Sequence, residues 1–530
     1  MKNYPKGSLC PISRQSSAAR FPAWLRPGRN GILAIMVAVV AATFSFMGFQ
    51  CSSAELTSAK LYIQRSEWDK AEDQLQKDVT TNPQDEEAWY WLGYVRGEKR
   101  NWSGMQDAFQ RALSISSDDK TNITSTQQHY WVQLYNDGTK YLQSGKDTSS
   151  NYAKSIDAFK GAMIVEPDSL LSYKGLAYAY LNMTLDDSAI DPLNVLWNKV
   201  KDEDAAKFLG EIYYEKGQKL KQKFLGDNSG KLDTLKDVNS IAEGMTEEEV
   251  VATIGQPDQK NGGTLEKTKG KKKTNVAATQ DVWVYKTYGL TLTFDQDRLK
   301  TKKVDFVYNP QIDSTQYQLA LVQFKKALEI VVPASSMYQD DRDLMTVVTN
   351  SYIAADMTEE ATETFQTGAI KNPDNADYQY NYGVILLRSN DFENAIAQFE
   401  KAVDAGNAAI DELKAKLSNP DSSVNVTKVN QDISRMQATI WNATYNLGAS
   451  YVNWGVHIQS KAGENSDPDS LRVAVTAKYK QAMPYLEKYS EYKSDDPNIW
   501  ELLGKVYSAL NDKQKATDAF QKADSLRQAH

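Results

Sequence analysis

The chain has 530 residues, a formal net charge of −8, three histidines and two cysteines. Its first fifty residues hold six Lys/Arg and no acid, leaving 55 Lys/Arg against 69 Asp/Glu in the rest. A body this acidic repels phosphate backbones, so no nucleic-acid partner is expected. Cysteine occurs only at Cys10 and Cys51, and His129, His457 and His530 lie far apart in sequence. No disulfide can therefore form within residues 52–530, and no metal, cofactor or catalytic residues are assigned. The chain is not read as an enzyme.

Residues 1–30 are basic and rich in Pro, Ser and Arg, and residues 31–49 are an uncharged, mostly apolar run ahead of Cys51. Basic, then apolar, then Cys is the layout of a secretory lipoprotein signal, which makes Cys51 the expected lipidation site. Gln50 departs from the small residue usual before such a cysteine. The apolar run is also long enough to span a bilayer, so an uncleaved helix stays open, as does simple cleavage. All three place the body outside the cytoplasm, with the positive flank kept inside. Residues 1–51 are thus a signal or anchor segment. The expected location is the cell envelope, membrane-anchored and facing the periplasm, with the outer membrane favoured over the inner.

Paired helical stripes begin at Ala54. Units fall at 54–85 and 86–119, the second with Trp89, Leu92 and Gly93 on one helix and Phe109 and Ala112 on the next. A third runs to Pro167 with Phe159 and Ala162, its turn lengthened near 145–151, and a fourth covers 168–200. A fifth starts at 203–222 with Leu209, Gly210 and Tyr213; its second-helix face, Ala320, Phe324 and Ala327, appears only at 313–330. Units at 335–373 and 376–407 follow, the latter with Tyr382, Gly383, Ala395, Phe399 and Ala402. After a polar connector (408–426) comes a long pair at 427–493 containing Leu447, Gly448 and Tyr451. In the closing unit, 497–523, Trp500, Leu503, Gly504 and Tyr507 share one helix face and Ala516, Phe520 and Ala523 the next. Two short helices with one stripe each can bury those stripes only against each other and a neighbour. This pattern of W-x2-L-G-x2-Y followed by Ala, aromatic, Ala and Pro resembles the tetratricopeptide repeat. The resemblance implies an α-solenoid of roughly eight helix pairs that captures helices or extended peptides along its concave face.

Between the halves of the fifth unit the period changes. Thr246 and Glu249 form a capping-box pattern, Val250 and Ile254 an apolar stripe, and Gly255-Gln256-Pro257 a helix stop. A Gly/Lys-rich loop follows, with five lysines at 267–273. Alternating runs at 282–285, 290–294 and 304–308 read as strands, with 295–297 as a hairpin turn. Gly244-Met245-Thr246, Val250, Ile254-Gly255, Pro257, Trp283, Tyr285, Leu292, Phe294-Asp295 and Leu299 are similar to the SmpA/OmlA (BamE-like) family. That resemblance implies an α+β fold with helices packed on an antiparallel sheet, no catalysis, and protein contacts in the bacterial envelope.

The expected architecture is mainly α: a signal or anchor segment (1–51) and N-terminal repeats (52–230), then an inserted SmpA/OmlA-like domain (231–310). Central repeats (311–407) and C-terminal repeats with a cap (408–530) complete it. The expected function is a non-catalytic protein–protein interaction scaffold of the cell envelope, assisting outer-membrane protein or envelope complex assembly. The alternative is a binding module for lipid or cell-wall glycan. Expected partners are envelope proteins or peptides, and the membrane through the N-terminal anchor. No partner-binding residue is named from sequence, since the first-helix polar positions need the repeat register.

Overall fold

The computed structural model describes residues 53–269, 272–339, 341–418, 425–461 and 467–528, with the backbone alone over 262–280. Cys51, the leader before it and His530 lie outside the described residues. The chain divides into two compact units, one ending at Ile212 and the other running from Tyr213.

The first unit holds α1 (Ala54–Gln64), α2 (Trp68–Thr81), α3 (Glu86–Glu98), α4 (Trp102–Ile115), α5 (Lys120–Ser144), α6 (Ser150–Val165), α7 (Leu170–Asn182) and α8 (Asp186–Val200). Helix α9 (Glu203–Asp227) begins in it and ends in the second unit. The second unit continues with α10 (Ser229–Ser240), α11 (Glu247–Ile254), and the strands β1 (Gln259–Lys269), β2 (Lys272–Tyr285), β3 (Leu290–Asp295) and β4 (Arg298–Val304). Then come α12 (Thr315–Met337), α13 (Arg342–Ala354), α14 (Thr358–Lys371), α15 (Ala376–Arg388) and α16 (Phe392–Ser418). The last four are α17 (Val426–Ser460), α18 (Pro468–Tyr492), α19 (Pro497–Ala509) and α20 (Lys513–Gln528).

Short polar residues start many of these helices by accepting otherwise unpaired backbone N–H groups. Asp85 accepts from the Ala88 amide at 2.9 Å, Asn101 from Gly104 at 3.0 Å and Asp341 from Leu344 at 2.9 Å. The helices pair in sequence, and one spacing recurs. A Cβ placed on Gly93 would stand 2.4 Å from the Phe109 ring, sixteen residues on, so a side chain there would push α3 off α4. Gly383 with Phe399, and Gly504 with Phe520, repeat the contact at the same spacing. Seven residues past each glycine stands a left-handed residue: Arg100 (φ 58°), Asn390 (φ 61°) and Asn511 (φ 68°). Ser66, Thr184 and Asp356 hold the same conformation, with φ of 55–56°. Such a residue breaks the helix and turns the chain back within a few positions. Ala59, Ala177 and Thr349, seven residues before these three, are the equivalents of the glycine and are buried. First helices touch one another, α3 to α5 to α7 in the first unit and α13 to α15 to α17 in the second. They form one layer in each unit, with second helices behind.

Helices α9 and α12 obey the same rule across a gap. Gly217 meets Phe324 at 2.4 Å from an added Cβ, the Tyr214 ring lies 5.8 Å from Phe324, and Phe224 lies 5.2 Å from Tyr317. Gly217 and Phe324 are 107 residues apart where the three pairs above have sixteen, so about ninety extra residues intervene. The close approach is made by Gly217, two helical turns beyond the Leu209-Gly210 pair that the spacing singled out. Where the extra segment leaves and returns, Asn228 Nδ2 donates to the Asp313 carbonyl and the Asp313 amide donates to Asn228 Oδ1, both at 3.2 Å. Lys231 Nζ also donates to the Gln311 carbonyl.

Within that segment the four strands form one antiparallel sheet in the order β1-β2-β3-β4. Leu290, Leu292 and Phe294 alternate inward along β3 and join Trp283, Tyr285, Leu299, Val238, Ile241, Val250 and Ile254 in one buried cluster. The capping box on α11 is present: the Glu249 amide donates to Thr246 Oγ1 at 3.1 Å, and the Thr246 amide to Glu249 Oε2 at 2.7 Å. Gly255 ends that helix at φ 80°. Gln296 (φ 50°) and Asp297 (φ 62°) make the β3–β4 turn, the left-handed pair that suits a tight hairpin.

Several local expectations change. The Gly/Lys-rich stretch read as a loop is the β1–β2 ribbon, paired from Gln259↔Val284 to Lys269↔Lys272. The last strand is Arg298–Val304 rather than 304–308, and α10 had not been anticipated. Helix α16 runs on to Ser418 through most of the expected polar connector.

Candidate protein-binding faces

Three residues before the first-helix glycine, five pairs carry a tyrosine: Tyr90, Tyr135, Tyr214, Tyr380 and Tyr445. The repeat geometry turns four of these rings onto the aromatic residue of the second helix. Ring centres lie 6.1 Å apart for Tyr90 and Phe109, 5.9 Å for Tyr135 and Phe159, 5.8 Å for Tyr214 and Phe324, and 5.9 Å for Tyr380 and Phe399. Tyr445 instead meets Tyr489 at 5.0 Å. Each ring is at least half-buried, and burial lifts the hydroxyls of Tyr90, Tyr135, Tyr214 and Tyr445 above the ordinary phenol range. They remain neutral; Gln218 Nε2 donates to the Tyr214 hydroxyl at 2.6 Å, and Asn446 Nδ2 to that of Tyr380 at 3.3 Å. Tyr214 is buried, while the half-buried rings of Tyr90 and Tyr135 in the first unit and of Tyr380 and Tyr445 in the second are rigid and polar-tipped, as suits contact with a peptide or protein surface. The sequence signal was Tyr-x-x-Gly on a first helix, shared by these five pairs and present also at Tyr94–Gly97; it points to Gly217 rather than Gly210.

The first-helix layer of the second unit also holds a polar seam. Thr439 Oγ1 donates to Asp377 Oδ1 at 2.8 Å, Arg342 Nε stands 3.7 Å from the same oxygen, and Thr349 Oγ1 donates to Asn381 Oδ1 at 2.8 Å. Burial holds the Asp377 carboxyl above the usual carboxylate range, although Arg342 and the Thr439 hydroxyl pull it down. The seam joins α13, α15 and α17 side by side and fixes their register.

In the first unit, Glu86 at the start of α3 faces the start of α5. Burial, with repulsion from Asp119 and Asp118, raises its pKa to about 7, although its Oε1 accepts the Asp119 amide at 3.1 Å. The folded state therefore holds a proton that the unfolded chain releases near 4.5. Stability from this group is fullest below 4.5 and is lost as pH rises through about 7. Glu86→Gln, which keeps the acceptor without the charge, should raise the melting temperature at pH 8 and do little at pH 4. Thermal melts at both values check this. An equal shift at both would mean that the carboxylate is not the cause.

Other residues singled out from sequence lie apart. His129 packs on Tyr130 at 5.4 Å and His457 on Phe392 at 5.5 Å, in different units. At the start of α11, Glu249 forms the capping box read from the sequence, while the Glu247 amide donates to Asp297 Oδ1 at 3.2 Å. The side chains of the five-lysine stretch fall outside the described residues, as does Cys51. Among the described residues no three His, Cys, Asp or Glu side chains are grouped to hold a metal ion, and no helix is long and apolar enough to cross a membrane.

Residues 350–410 and 497–530 each match the tetratricopeptide repeat family. The chain carries tetratricopeptide repeats. The matched segments cover α14 to α15 with their flanks, and α19 to α20, where the Gly383/Phe399 and Gly504/Phe520 contacts lie. Tetratricopeptide repeats present extended protein-binding surfaces rather than catalytic centres, and neither match is to an enzyme family. No curated protein matches the chain. Solved structures are similar only slightly. The crystal structure of MamA is 13% identical over 42% of this chain and 98% of its own, with a TM-score of 0.26. Another MamA structure, MSR-1 C2, is 13% identical over 39% of this chain and 89% of its own, with a TM-score of 0.23. The structure of Naa15/Naa10 bound to HypK-THB is 12% identical over 90% of this chain and 84% of its own, with a TM-score of 0.20. Likenesses this slight say nothing of function.

Proposed function

We propose that the chain is a non-catalytic protein–protein interaction scaffold of the bacterial cell envelope, anchored through Cys51 and facing the periplasm. The observation that carries the scaffold reading is the set of half-buried tyrosines on the first helices of each unit. The envelope reading is supported by the basic, apolar and Cys51 order of the leader. Residues 231–310 are an inserted SmpA/OmlA-like domain with its helices packed on the sheet. The Asn228–Asp313 clamp supports an insertion whose removal leaves the host helices paired. The repeats bind envelope proteins or peptides, and the insertion adds a second surface.

The test is affinity capture from solubilised envelopes with the full chain and with a chain lacking residues 231–310. Discrete envelope proteins should be captured by both, because the repeat faces are unaltered. In the same preparations, Cys51→Ser should leave the membrane pellet. Capture of no protein by either chain would sink the scaffold reading; a variant that stayed in the pellet would replace the lipid anchor with an uncleaved helix.

A further inference from the structure

Strand β4 ends the sheet, and only part of its outer side is occupied. At Leu299 both backbone groups are used, the amide donating to the Met245 carbonyl and the carbonyl accepting from the Gly244 amide, each at 2.8 Å. A single bridge from Thr246 to Arg298 completes that cover. Further along, the Asp305 amide donates inward to the Gly289 carbonyl at 2.8 Å. By the alternation of an antiparallel ladder, the backbone groups of Lys302 and Val304 then face away from β3. Beyond Leu299 no strand of the described residues pairs with this edge.

The side chains beside the open edge are unusual. Val304 is 51% exposed, Phe306 52% and Val307 81%, three large apolar residues within four positions. Exposed strand edges are normally short, charged or covered, because they recruit other chains. Here the charge has one sign: β4 carries Arg298, Lys300, Lys302 and Lys303 and no acid. Asp305, next along the chain, is held by Lys303 at 2.7 Å and by the Thr291 hydroxyl at 3.1 Å, while Lys302 Nζ donates to the Val238 and Ile241 carbonyls at 3.3 and 2.8 Å. Pairing with a second copy of β4 would set these cations against one another. An acidic strand would meet complementary charge, satisfy the outward backbone groups, and cover the valines and Phe306.

We propose that the β4 edge over residues 302–307 takes an extended acidic segment of a partner protein as a fifth strand. The inference rests on the scaffold reading for the existence of a partner, while its site is separate from the repeat faces. The probe is a dye-labelled peptide alternating Glu with Val or Thr, titrated against the full chain by fluorescence anisotropy. Two controls accompany it: the same peptide with a central Pro, which breaks a strand ladder, and one with Lys for Glu. The acidic peptide should bind about tenfold or more tightly than either control, a difference of about 1.4 kcal/mol. Val304→Pro, and separately Phe306→Glu with Val307→Glu, should weaken it by a similar factor. The paired glutamate variant alters only exposed side chains, so it stands as the test if Val304→Pro disturbs the sheet, and unchanged melting verifies its fold. Equal binding of the Pro-broken peptide would reduce the effect to charge attraction and overturn the proposal. So would preference for the Lys peptide, or variants without effect. A concentration-dependent dimer broken by the same substitutions would give the edge to a second copy instead. Capture by the repeat faces does not involve these residues, so either result can fail while the other stands.

Discussion

Phe324→Ala should cost the α9/α12 pair about 3–5 kcal/mol, the range for deleting a fully buried aromatic ring. Phe324 is wholly buried, with Gly217 against its ring and Tyr214 beside it. Neither can fill the space, since glycine has no side chain and Tyr214 is itself packed. Pairs joined by short turns gain their partner helix almost at once along the chain. In contrast, α9 and α12 must meet across about ninety residues, which adds closure entropy that only tertiary contact offsets. Hydrogen exchange should therefore show protection lost over 213–227 and 315–337, with α19 and α20 unchanged. A loss below about 1 kcal/mol, or one spread evenly along the chain, would mean that this ring does not hold the repeat together.

Trp283→Ala should have a comparable effect in a different place. The indole is 1% exposed, lies 4.5 Å from the Phe294 ring, and carries Lys260 Nζ 3.8 Å over its face. It is the largest side chain in the cluster that joins β2, β3 and β4 to residues of α10 and α11. Its removal should cost about 3–5 kcal/mol and open the segment between Asn228 and Asp313 to proteolysis. Helical circular dichroism should change little, because few helical residues lie there. A fall in helical signal across the whole chain would show that the repeats depend on the sheet for their own folding.

The sequence by itself determined the helix pairs. Their stripes repeat every three to four residues, and the glycine and phenylalanine sixteen apart, as at 93 and 109, are local requirements that any copy must meet. It also determined the capping box at Thr246, the Gly255 stop and the inward side of β3, each of which depends on a few neighbouring residues. Tertiary structure decided the rest. Gly217 rather than Gly210 meets Phe324 because the choice among first-helix glycines depends on which turn of α9 lies opposite α12. The β1–β2 ribbon was unreadable as strand because its Lys, Thr and Gly residues carry no apolar alternation; cross-strand pairing makes it extended. Residues 304–308 alternate like a strand, yet the ladder on β3 places β4 at 298–304 and leaves Phe306 and Val307 exposed. Periodicity reports which side chains seek burial, and which backbone partner arrives is settled only when distant segments meet.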